Sequence, residues 1–455
     1  MRYVSTRGAA PETEFADVLI GGLAPDGGLY VPSETPRLAA SVGAGTYQDV
    51  AVEVMAPYVA PSLERDELAA MVAAAYATFE APEVCPVVDL GDNLFVQELF
   101  HGPTLAFKDV ALQLVGRLFD HELQRRGDRA TIVVATSGDT GSAAIQACVG
   151  RDTLDIVVLH PAGRTSDVQR KQMTTVDAPN VHNVAIAGTF DDCQDIVKAL
   201  FADVAFREDV RLSAMNSINF ARVMAQIVYY VTGAAAVGGP GEQVSFCVPT
   251  GNFGNILAGW YAKQSGAAIE RLLIASNSND ILTRWVETGA LVAEEVVPTY
   301  SPSMDIQVSS NHERLLFDLL GRDGARTADV MLRSRQLGAV EVPRHPAFAA
   351  ARLDDAETLD VIAKTFADHG YLADPHTAVG IGAAQRLRRD PDERIICLAT
   401  AHPAKFPEAV ERATGVHPEL PARLADLFDR EEHCDELPND LAAVQAYVKH
   451  AITPA

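Results

Sequence analysis

The stretch Thr131-Ile-Val-Val-Ala-Thr-Ser-Gly-Asp-Thr-Gly-Ser-Ala-Ala144 predicts the unit from which this chain is built. An apolar run rich in β-branched residues ends in hydroxyls and glycines, and a helical pattern then begins at Ser142. This order indicates a buried strand, a tight turn and the N-terminus of a helix. Backbone N–H groups and hydroxyls at such a turn can bind a carboxylate or a phosphate.

A second stretch, Val244-Ser-Phe-Cys-Val-Pro-Thr-Gly-Asn-Phe-Gly-Asn-Ile-Leu257, has the same order. Its strand pattern leads into a glycine-rich turn, Gly251 to Asn255, and then into a helix. Glycines at such a turn let the backbone approach an anion closely. One loop of this kind is a weak signal, because many α/β proteins turn on glycine. Two of them, together with a lysine that precedes both, are a stronger signal.

Strand patterns and helical patterns alternate along the rest of the chain. Helical patterns separate the apolar strand candidates, so we expect an α/β fold with mostly parallel sheets covered by helices. Ligands then belong at the carboxyl ends of the strands, where both glycine-rich turns fall. The strand candidates are 94–99, 132–135, 156–159, 184–187, 244–248, 272–275 and 395–399.

The chain is long enough for more than one lobe. We expect an N-terminal domain at 1–80, including a helical stretch from Tyr47 to Phe79, and a second region at 81–455. Within the second region we expect a smaller α/β subdomain at about 110–235. The segment from about 290 to 374 is irregular and gives no clear prediction. The acidic segment 429–436 predicts a solvated helix or loop.

Composition narrows the class of protein. The chain has 455 residues, of which 48% are apolar, and a formal net charge of −24. The negative charge argues against nucleic acid or an anionic membrane as a partner. We expect no membrane span and no signal peptide, and the scattered cysteines indicate reduced thiols in a cytoplasm. The histidines show no metal-binding spacing, so we expect no metal.

A scarce lysine precedes both turns. The chain has seven lysines against thirty arginines, and Lys108 follows an apolar run in His101-Gly-Pro-Thr-Leu-Ala-Phe-Lys-Asp109, where a helical pattern begins. An apolar, cationic environment lowers the pKa of an amine and makes it a better nucleophile toward a carbonyl. From this segment alone, Lys108 could equally be a surface lysine after a turn.

The two turns lack the common nucleotide fingerprints. The chain has no Gly-Lys dipeptide and so no P-loop, and Gly380-Ile-Gly382 is followed by Gln385 where a dinucleotide site needs its third glycine. The phosphate is therefore not expected to belong to ATP or NAD. A lysine together with a phosphate cradle suggests pyridoxal phosphate, whose aldehyde binds the lysine and whose phosphate binds a helix N-terminus.

Five motifs together resemble the threonine synthase family, in its longer bacterial and fungal branch, and the start of the chain resembles that family too. The resemblance covers essentially the whole chain and implies the fold-type II architecture of pyridoxal-phosphate enzymes. Asp139 stands where the wider fold-type II group usually has asparagine, which favours threonine synthases over sulfhydrylases and dehydratases. The motifs are His101–Asp109, Ser137–Gly141, Asn216–Asn219, Gly251–Asn255 and Leu398–Phe406.

The resemblance implies a role for each site residue. Lys108 binds the cofactor covalently and then acts as acid and base, and Thr400 hydrogen-bonds the pyridine nitrogen. The cofactor phosphate is bound by Gly251, Asn252, Phe253, Gly254 and Asn255. The substrate carboxylate is bound by Ser137, Gly138, Asp139 and Thr140, and the substrate phosphate by Ser217, Asn219 and Arg222.

Structural alternatives stand beside several of these roles. Thr400 could be a turn hydroxyl at a strand end, and Ser217 or Asn219 could cap a helix with Arg222 on a solvated face. Asp139 is unusual beside two anions, so we expect it to accept hydrogen bonds from backbone donors or to be protonated. Arg170 and Lys171 are expected to be ordinary surface cations.

The reaction implied by the resemblance converts O-phospho-L-homoserine and water to L-threonine and phosphate. Either Lys108 or the released phosphate could act as the base in the later proton transfers. Two alternatives stay open: a dehydratase or another β-eliminating relative, and a non-catalytic protein that binds a phosphorylated ligand. The sequence is compatible with a monomer or a homodimer.

Overall fold

The computed structural model describes residues 1–39, 42–239 and 242–452. The strands in these ranges are β1 (Arg2–Ser5), β2 (Thr13–Glu14), β3 (Tyr30–Pro32), β4 (Val87–Asp89), β5 (Leu94–Glu98), β6 (Ala130–Ala135), β7 (Leu154–Pro161), β8 (Val181–Ala187), β9 (Leu212–Ser213), β10 (Val244–Pro249), β11 (Ile269–Ser276), β12 (Ala290–Val292), β13 (Ala339–Glu341), β14 (Phe348–Arg352), β15 (Ile395–Ala399) and β16 (Asp435–Pro438).

The α-helices in the same ranges are α1 (Phe15–Gly21), α2 (Tyr47–Val59), α3 (Arg65–Tyr76), α4 (Lys108–Arg126), α5 (Asp139–Cys148), α6 (Asp167–Thr174), α7 (Phe190–Ala202), α8 (Val204–Asp209), α9 (Phe220–Val237), α10 (Gly254–Ser265), α11 (Ile281–Thr288), α12 (His312–Leu319), α13 (Gly324–Leu337), α14 (Asp355–His369), α15 (Pro375–Leu387), α16 (Pro407–Thr414) and α17 (Leu441–Ala451). Short 3-10 helices lie at Pro302–Met304, Pro403–Lys405, Ala422–Leu424 and Leu427–Asp429.

Two mostly parallel sheets form the body of the molecule. The larger has the strand order β14-β11-β10-β15-β5-β4, in which only the edge strand β4 is antiparallel to its neighbour. The smaller has the order β16-β8-β7-β6-β9, and all its pairs are parallel. Every residue of β7 and of β10 is buried, as expected for strands covered on both faces. The predicted α/β architecture is confirmed.

All the strand candidates from the sequence lie in or overlap observed strands. The boundaries differ by at most three residues, for example in β6, which begins two residues before the predicted Ile132. The helix predicted to begin at Ser142 begins instead at Asp139, because α5 starts immediately after a turn at Gly138. Gly380 and Gly382 lie buried inside α15 and not in a loop, which fits their lack of a nucleotide-binding context.

The acidic segment 429–436 was expected to be a solvated helix or loop, and that prediction was wrong for its end. Residues from Asp435 onward form β16, which pairs with β8 and extends the smaller sheet. Before this strand, Glu432 forms ion pairs with Arg170 and Lys171 of α6, so these two cations hold the C-terminal segment in place. Edge strands show weak hydrophobic alternation because most of their side chains face water, and here the burial pattern is largely exposed.

The N-terminal part forms a small antiparallel sheet, β2-β1-β3, and its helices pack against α4 and α9. The single helical stretch predicted at 47–79 consists of α2 and α3. Helix α2 ends at Val59, just before Pro61, since the residue before a proline disfavours helical geometry.

Helix α9 lies in the main apolar core, where α2, α4 and α10 pack against it. By length and composition it could cross a bilayer, but 78% of its residues are buried inside the protein. A mostly apolar helix packed in this way is typical of a protein core. The position of α9 matters for the site, because Arg222 lies in its first turn.

Candidate active site

The loop before Lys108 is fixed against the end of β15. The backbone N–H of Phe107 donates to the carbonyl of Thr400 at 2.8 Å, and the N–H of His402 donates to the carbonyl of Leu105 at 3.0 Å. Thr400 follows the last residue of β15 and is buried. These bonds bring Thr400 next to Lys108, the first residue of α4, although almost three hundred residues separate the two in sequence.

The amine of Lys108 lies in a buried, charged environment. Its Nζ is 3.1 Å from Oδ2 of Asp139 and 3.5 Å from Oγ of Ser303, and the residue is 8% exposed. Burial lowers the pKa of Lys108 and outweighs the attraction of Asp139, while the charges on Lys405 and Arg222 lower this pKa further. Burial and two nearby cations are present, as expected from the sequence, but the shortest contact of the amine is to an anion, Asp139.

Asp139 differs from its predicted state. Its carboxylate is bound by side chains: Oδ2 contacts Lys108 and Ser303, and Oδ1 contacts Nζ of Lys405 and Nε2 of Gln169, each at 2.9 Å. Burial raises the pKa of Asp139, but the charges on Lys108 and Lys405 hold it well below its usual range. The prediction of backbone donors or a protonated acid was wrong, because a second lysine supplies the compensating charge.

The turn that carries Asp139 requires a glycine at its first position. Gly138 has φ of +142°, and a Cβ there would lie 2.5 Å from Cδ of Gln169, whose amide binds Asp139. The hydroxyl of Thr136 accepts hydrogen bonds from the N–H groups of Gly138 and Gly141. Thr136 therefore fixes the conformation of this turn through two hydrogen bonds.

Ser137 and Thr140 lie on either side of this glycine and aspartate. Both are half-buried, whereas Gly138 and Asp139 are buried. The structure therefore brings Ser137, Gly138, Asp139 and Thr140 together at the N-terminus of α5. A helix N-terminus leaves backbone N–H groups without helical partners, and these can bind an anion.

The glycine-rich turn 251–255 lies at the carboxyl end of β10. Phe253 is in the left-handed region with φ of +64°, and α10 begins at Gly254. A Cβ at Gly251 would lie 2.9 Å from the carbonyl oxygen of Ser303, and Oγ of Ser309 donates to the Gly251 carbonyl at 2.6 Å. Ser303 therefore contacts this turn as well as Lys108, which places the turn close to the lysine.

Asn255 connects the turn to α9. Its Oδ1 accepts hydrogen bonds from the hydroxyls of Tyr229 and Tyr230, at 2.6 and 2.9 Å. Its Nδ2 is buried and has no hydrogen-bond partner in the part of the chain that the structure describes. This donor can therefore bind a further acceptor in the turn.

The predicted substrate-phosphate residues lie where β9 leads into α9. Asn219 caps α9 by accepting from the N–H of Ala221, and its Nδ2 donates to the carbonyl of Leu19. For Asn219, the alternative that its side chain caps the helix is therefore correct. Arg222 is not on a solvated face: it is 4% exposed, its Nε has no partner among the described residues, and burial lowers its pKa to about 10. Ser217 is half-buried beside them.

Asn311 connects the glycine-rich turn 251–255 to the segment before Arg222. It is completely buried, its N–H donates to the carbonyl of Asn252 at 3.1 Å, and its Nδ2 donates to the carbonyl of Ser217 at 3.0 Å. The glycine-rich turn and the segment before Arg222 are thereby held at a fixed separation.

Three of the residues that build the site were not singled out from the sequence. Lys405 lies inside a quoted motif, and the scarcity of lysine was the signal that could have identified it. Ser303 and Asn311 lie in the segment that gave no clear prediction, between 290 and 374. Their contacts are with residues far away in the chain, so no local pattern indicates them. In the described ranges, no group of three or more acidic, histidine or cysteine side chains is placed to hold a metal ion.

A buried lysine at a helix start, between two helix N-termini at the carboxyl ends of parallel strands, defines a pyridoxal-phosphate-dependent enzyme of fold type II. Residues 85–401 match the family model described as pyridoxal-phosphate dependent enzyme. Residues 2–76 match the threonine synthase N-terminus, and residues 377–448 match the threonine synthase C-terminal model. The chain belongs to the threonine synthase family.

Individual relatives agree. A threonine synthase from Pseudomonas aeruginosa is 50% identical, with 98% of each chain covered, and one from Corynebacterium glutamicum is 42% identical, with 99% of each covered. The crystal structure of pyridoxal-phosphate-bound threonine synthase from Brucella melitensis aligns with a TM-score of 0.96 at 49% identity, over 99% of each chain. Yeast threonine synthase aligns with a TM-score of 0.93 at 38% identity, over 99% of this chain and 98% of that one.

The residues present fit pyridoxal phosphate. The Lys108 amine has a lowered pKa, as attack on an aldehyde requires. At Gly251 a side chain would fill the space beside Ser303, and the following turn opens α10 with its backbone N–H groups. The unpaired Nδ2 of Asn255 lies in this same turn.

Proposed function

We propose that this chain is a threonine synthase that converts O-phospho-L-homoserine and water to L-threonine and phosphate. The observation that carries the proposal is the buried guanidinium of Arg222, whose Nε is unpaired. A buried cation without a partner is costly and favours an anion beside it. Together with the separate cradle at Gly251–Asn255, Arg222 supplies a second anion site, which a phosphorylated substrate needs.

Lys108 is the residue that binds the cofactor covalently and then moves protons at the substrate carbons. Bound pyridoxal phosphate supplies an electron sink that acidifies the carbon next to the substrate amine. A lysine with a lowered pKa is neutral more often near neutral pH, and it can therefore act as a base as well as a nucleophile. Asp139 orients the Lys108 amine through the contact of 3.1 Å.

The proposed cofactor contacts lie at the carboxyl ends of the neighbouring strands β10 and β15. The turn Gly251, Asn252, Phe253, Gly254 and Asn255 would bind the cofactor phosphate through the backbone N–H groups that open α10. Thr400 would hydrogen-bond the pyridine nitrogen from the end of β15. A neutral hydroxyl at that position does not stabilise a protonated ring, so the electron sink is a moderate one.

The substrate contacts lie on two other strand ends. The turn Ser137 to Thr140 would bind the substrate carboxylate, with Ser137 and Thr140 giving hydroxyls and Gly138 and Asp139 giving backbone N–H groups. Arg222 and Ser217 would bind the substrate phosphate. Asn219 would contribute through its cap on α9, which fixes the helix that carries Arg222.

In the net reaction, a hydrogen replaces the phosphate group at Cγ, and a hydroxyl from water replaces a hydrogen at Cβ. The bond between Cγ and the phosphate oxygen breaks, a proton is added at Cγ, and the hydroxyl of a water molecule is added at Cβ after a proton has left it. The proton lost from Cα is returned at the end. Phosphate leaves with the electron pair of the C–O bond, and Arg222 offers a bidentate guanidinium to the charge that develops there.

A substrate profile tests the proposal. Purified protein with pyridoxal phosphate is given O-phospho-L-homoserine, L-serine or L-threonine, and threonine, phosphate, keto acid and ammonia are measured. We expect threonine and phosphate from phosphohomoserine and at least about a hundredfold less turnover of the two hydroxy amino acids, because they offer no phosphate to Arg222. Keto acid and ammonia from serine, with no threonine from phosphohomoserine, would identify a dehydratase and overturn the proposal.

We also propose that the protein acts on this small molecule in the cytoplasm, without a nucleic-acid or membrane partner, as a monomer or homodimer. The net charge of −24 and the six free cysteines support this proposal. The proposed domains are 1–80 and 81–455, with a smaller α/β subdomain at about 110–235. The smaller sheet supports that subdomain, although its edge strand β16 comes from the C-terminal part of the chain.

A further inference from the structure

Lys405 is a second buried lysine next to the cofactor lysine. It is completely buried, and its Nζ lies 2.7 Å from the carbonyl oxygen of Thr104, 2.9 Å from Oε1 of Gln172 and 2.9 Å from Oδ1 of Asp139. An ammonium group has three N–H donors, and all three are used here. A neutral amine has only two donors and a lone pair, so it could not satisfy these three acceptors. The three acceptors around Lys405 therefore match the three donors of an ammonium group.

Lys108 is held much less completely. It has one contact of 3.1 Å, to Oδ2 of Asp139, and a longer one of 3.5 Å, to Ser303. The carboxylate of Asp139 thus lies between two amines, with one oxygen facing each of them. The amine with fewer acceptors is the one that can lose a proton at the lower cost in hydrogen bonds.

Other charged groups also face this pair. Arg222 of α9 faces Lys108 and repels its positive charge, in the same sense as Lys405. Asp109 of α4 faces Lys405 and is bound by the N–H and hydroxyl of Thr104. The N–H of Ser303 donates to Nε2 of His376, and Nδ1 of His376 is paired with Asp374.

We propose that Lys405 is a positioning residue that serves as the permanent counter-ion of Asp139, so that Lys108 can become neutral inside the buried site. If Lys108 were the only cation at Asp139, its deprotonation would leave a buried carboxylate without compensation, which is costly. With Lys405 in place, the Asp139–Lys405 pair stays neutral as a unit. The inference rests on the proposed role of Lys108 as the cofactor lysine.

The test measures the titration of Lys108 in the protein without cofactor. A short pulse of formaldehyde and cyanoborohydride methylates free amines, and peptide mass spectrometry quantifies the modified Lys108 across a series of pH values. Replacing Lys405 by methionine keeps length and removes charge. We expect the midpoint for Lys108 to rise by about one pH unit or more, and the labelling at a pH below the midpoint to fall about tenfold.

Gln169 offers a matched control. Its Nε2 donates to the same Oδ1 of Asp139 at the same 2.9 Å, but it carries no charge. Gln169→Leu should therefore move the midpoint by less than about 0.3 unit, while Asp139→Asn should move it downward, because the carboxylate favours the protonated amine. Lys405→Arg, which restores the charge, should return the midpoint toward that of the wild type. General loosening of the site would instead raise the midpoint in every variant.

The proposal is overturned if Lys405→Met leaves the midpoint unchanged or lowers it, or if Gln169→Leu raises it equally. If Lys405→Met does not fold, the Asp139→Asn variant decides: a midpoint that does not fall would also overturn the proposal. The labelling needs neither cofactor nor turnover. A protein with the expected shifts that makes no threonine would therefore refute the proposed function alone.

Discussion

At Arg222 the protein holds a guanidinium almost out of contact with water. Burial lowers its pKa to about 10, so the group is charged at neutral pH, and its Nε has no partner in the described ranges. The cost of this arrangement is offset when an anion binds, since charge-assisted hydrogen bonds to a guanidinium are among the stronger ones in proteins. Arg222 is therefore the residue at which substrate phosphate should be recognised.

Replacing Arg222 by glutamine should weaken recognition of the substrate but not of the cofactor. We expect kcat/KM for O-phospho-L-homoserine to fall about 10- to 100-fold, which corresponds to about 1.5–3 kcal/mol for lost hydrogen bonds to a charged group. Steady-state kinetics measures this effect, and cofactor absorbance should stay unchanged. Arg333→Gln removes an exposed guanidinium and serves as the control. If Arg222→Gln changed kcat/KM by less than threefold, Arg222 would not be a residue that binds the substrate phosphate.

At the scale of elements, the carboxylate of Glu432 helps to hold the C-terminal segment to α6. Lys171 of α6 also donates to the carbonyls of Phe428 and Arg430. Burial raises the pKa of Glu432, but hydrogen bonds from Arg170, Thr174 and Lys171 outweigh this effect and lower it to about 2. Because the folded-state pKa lies below the ordinary value of about 4.3, the stabilisation is present above that value and is lost as the pH falls toward about 2. The docking of β16 should therefore depend on pH in this window.

Hydrogen exchange tests this dependence. Glu432→Gln should lower the protection of the backbone N–H groups of β16 at pH 7 by about 1–2 kcal/mol, because the cations of α6 lose their partner. At pH 2.5, with exchange corrected for its intrinsic rate, the difference from wild type should be much smaller. Glu431→Gln changes the neighbouring exposed carboxylate and should have little effect at either pH. Equal loss of protection in both variants would show that Glu432 does not anchor the strand.

Most elements of the two sheets could be predicted because parallel strands covered on both faces appear as continuous apolar runs. Strand β16 has no such run, since it lies at an edge and most of its side chains are exposed. Of the site, the turns around Asp139 and Gly251 could be predicted from glycine and strand ends. The contact of Lys405 with Asp139 could not, because it joins residues more than 250 positions apart.

At the scale of the whole molecule, the N-terminal part is connected to the segment before Arg222. Arg7 forms two hydrogen bonds of 3.1 Å to the carboxylate of Glu313, which also accepts from Thr6. The next residue, Arg314, donates to the carbonyl of Tyr30 and to that of Ile218, just before the cap of α9. The N-terminal sheet, α12 and the segment before Arg222 therefore form one connected unit.

Removing Glu313 should loosen this unit. Glu313→Ala leaves Arg7 without its partner, and we expect the free energy of unfolding to fall by about 3 kcal/mol, since breaking a largely buried pair is costly. Denaturant unfolding measures the change. Glu14→Ala breaks the exposed pair with Arg2, which lies at 3.2 Å, and should cost less than about 1 kcal/mol. Equal losses in the two variants would mean that the Arg7–Glu313 contact has no special part in joining the domains.

The most direct measurement is the visible spectrum of the purified protein before and after O-phospho-L-homoserine is added, with threonine and phosphate assayed in the same tube. We predict a yellow protein whose band shifts as the two products appear in equal amounts. Lys108→Ala should lose the covalent cofactor band and the activity. A protein that stays colourless with added pyridoxal phosphate, or that releases phosphate without threonine, would contradict the account.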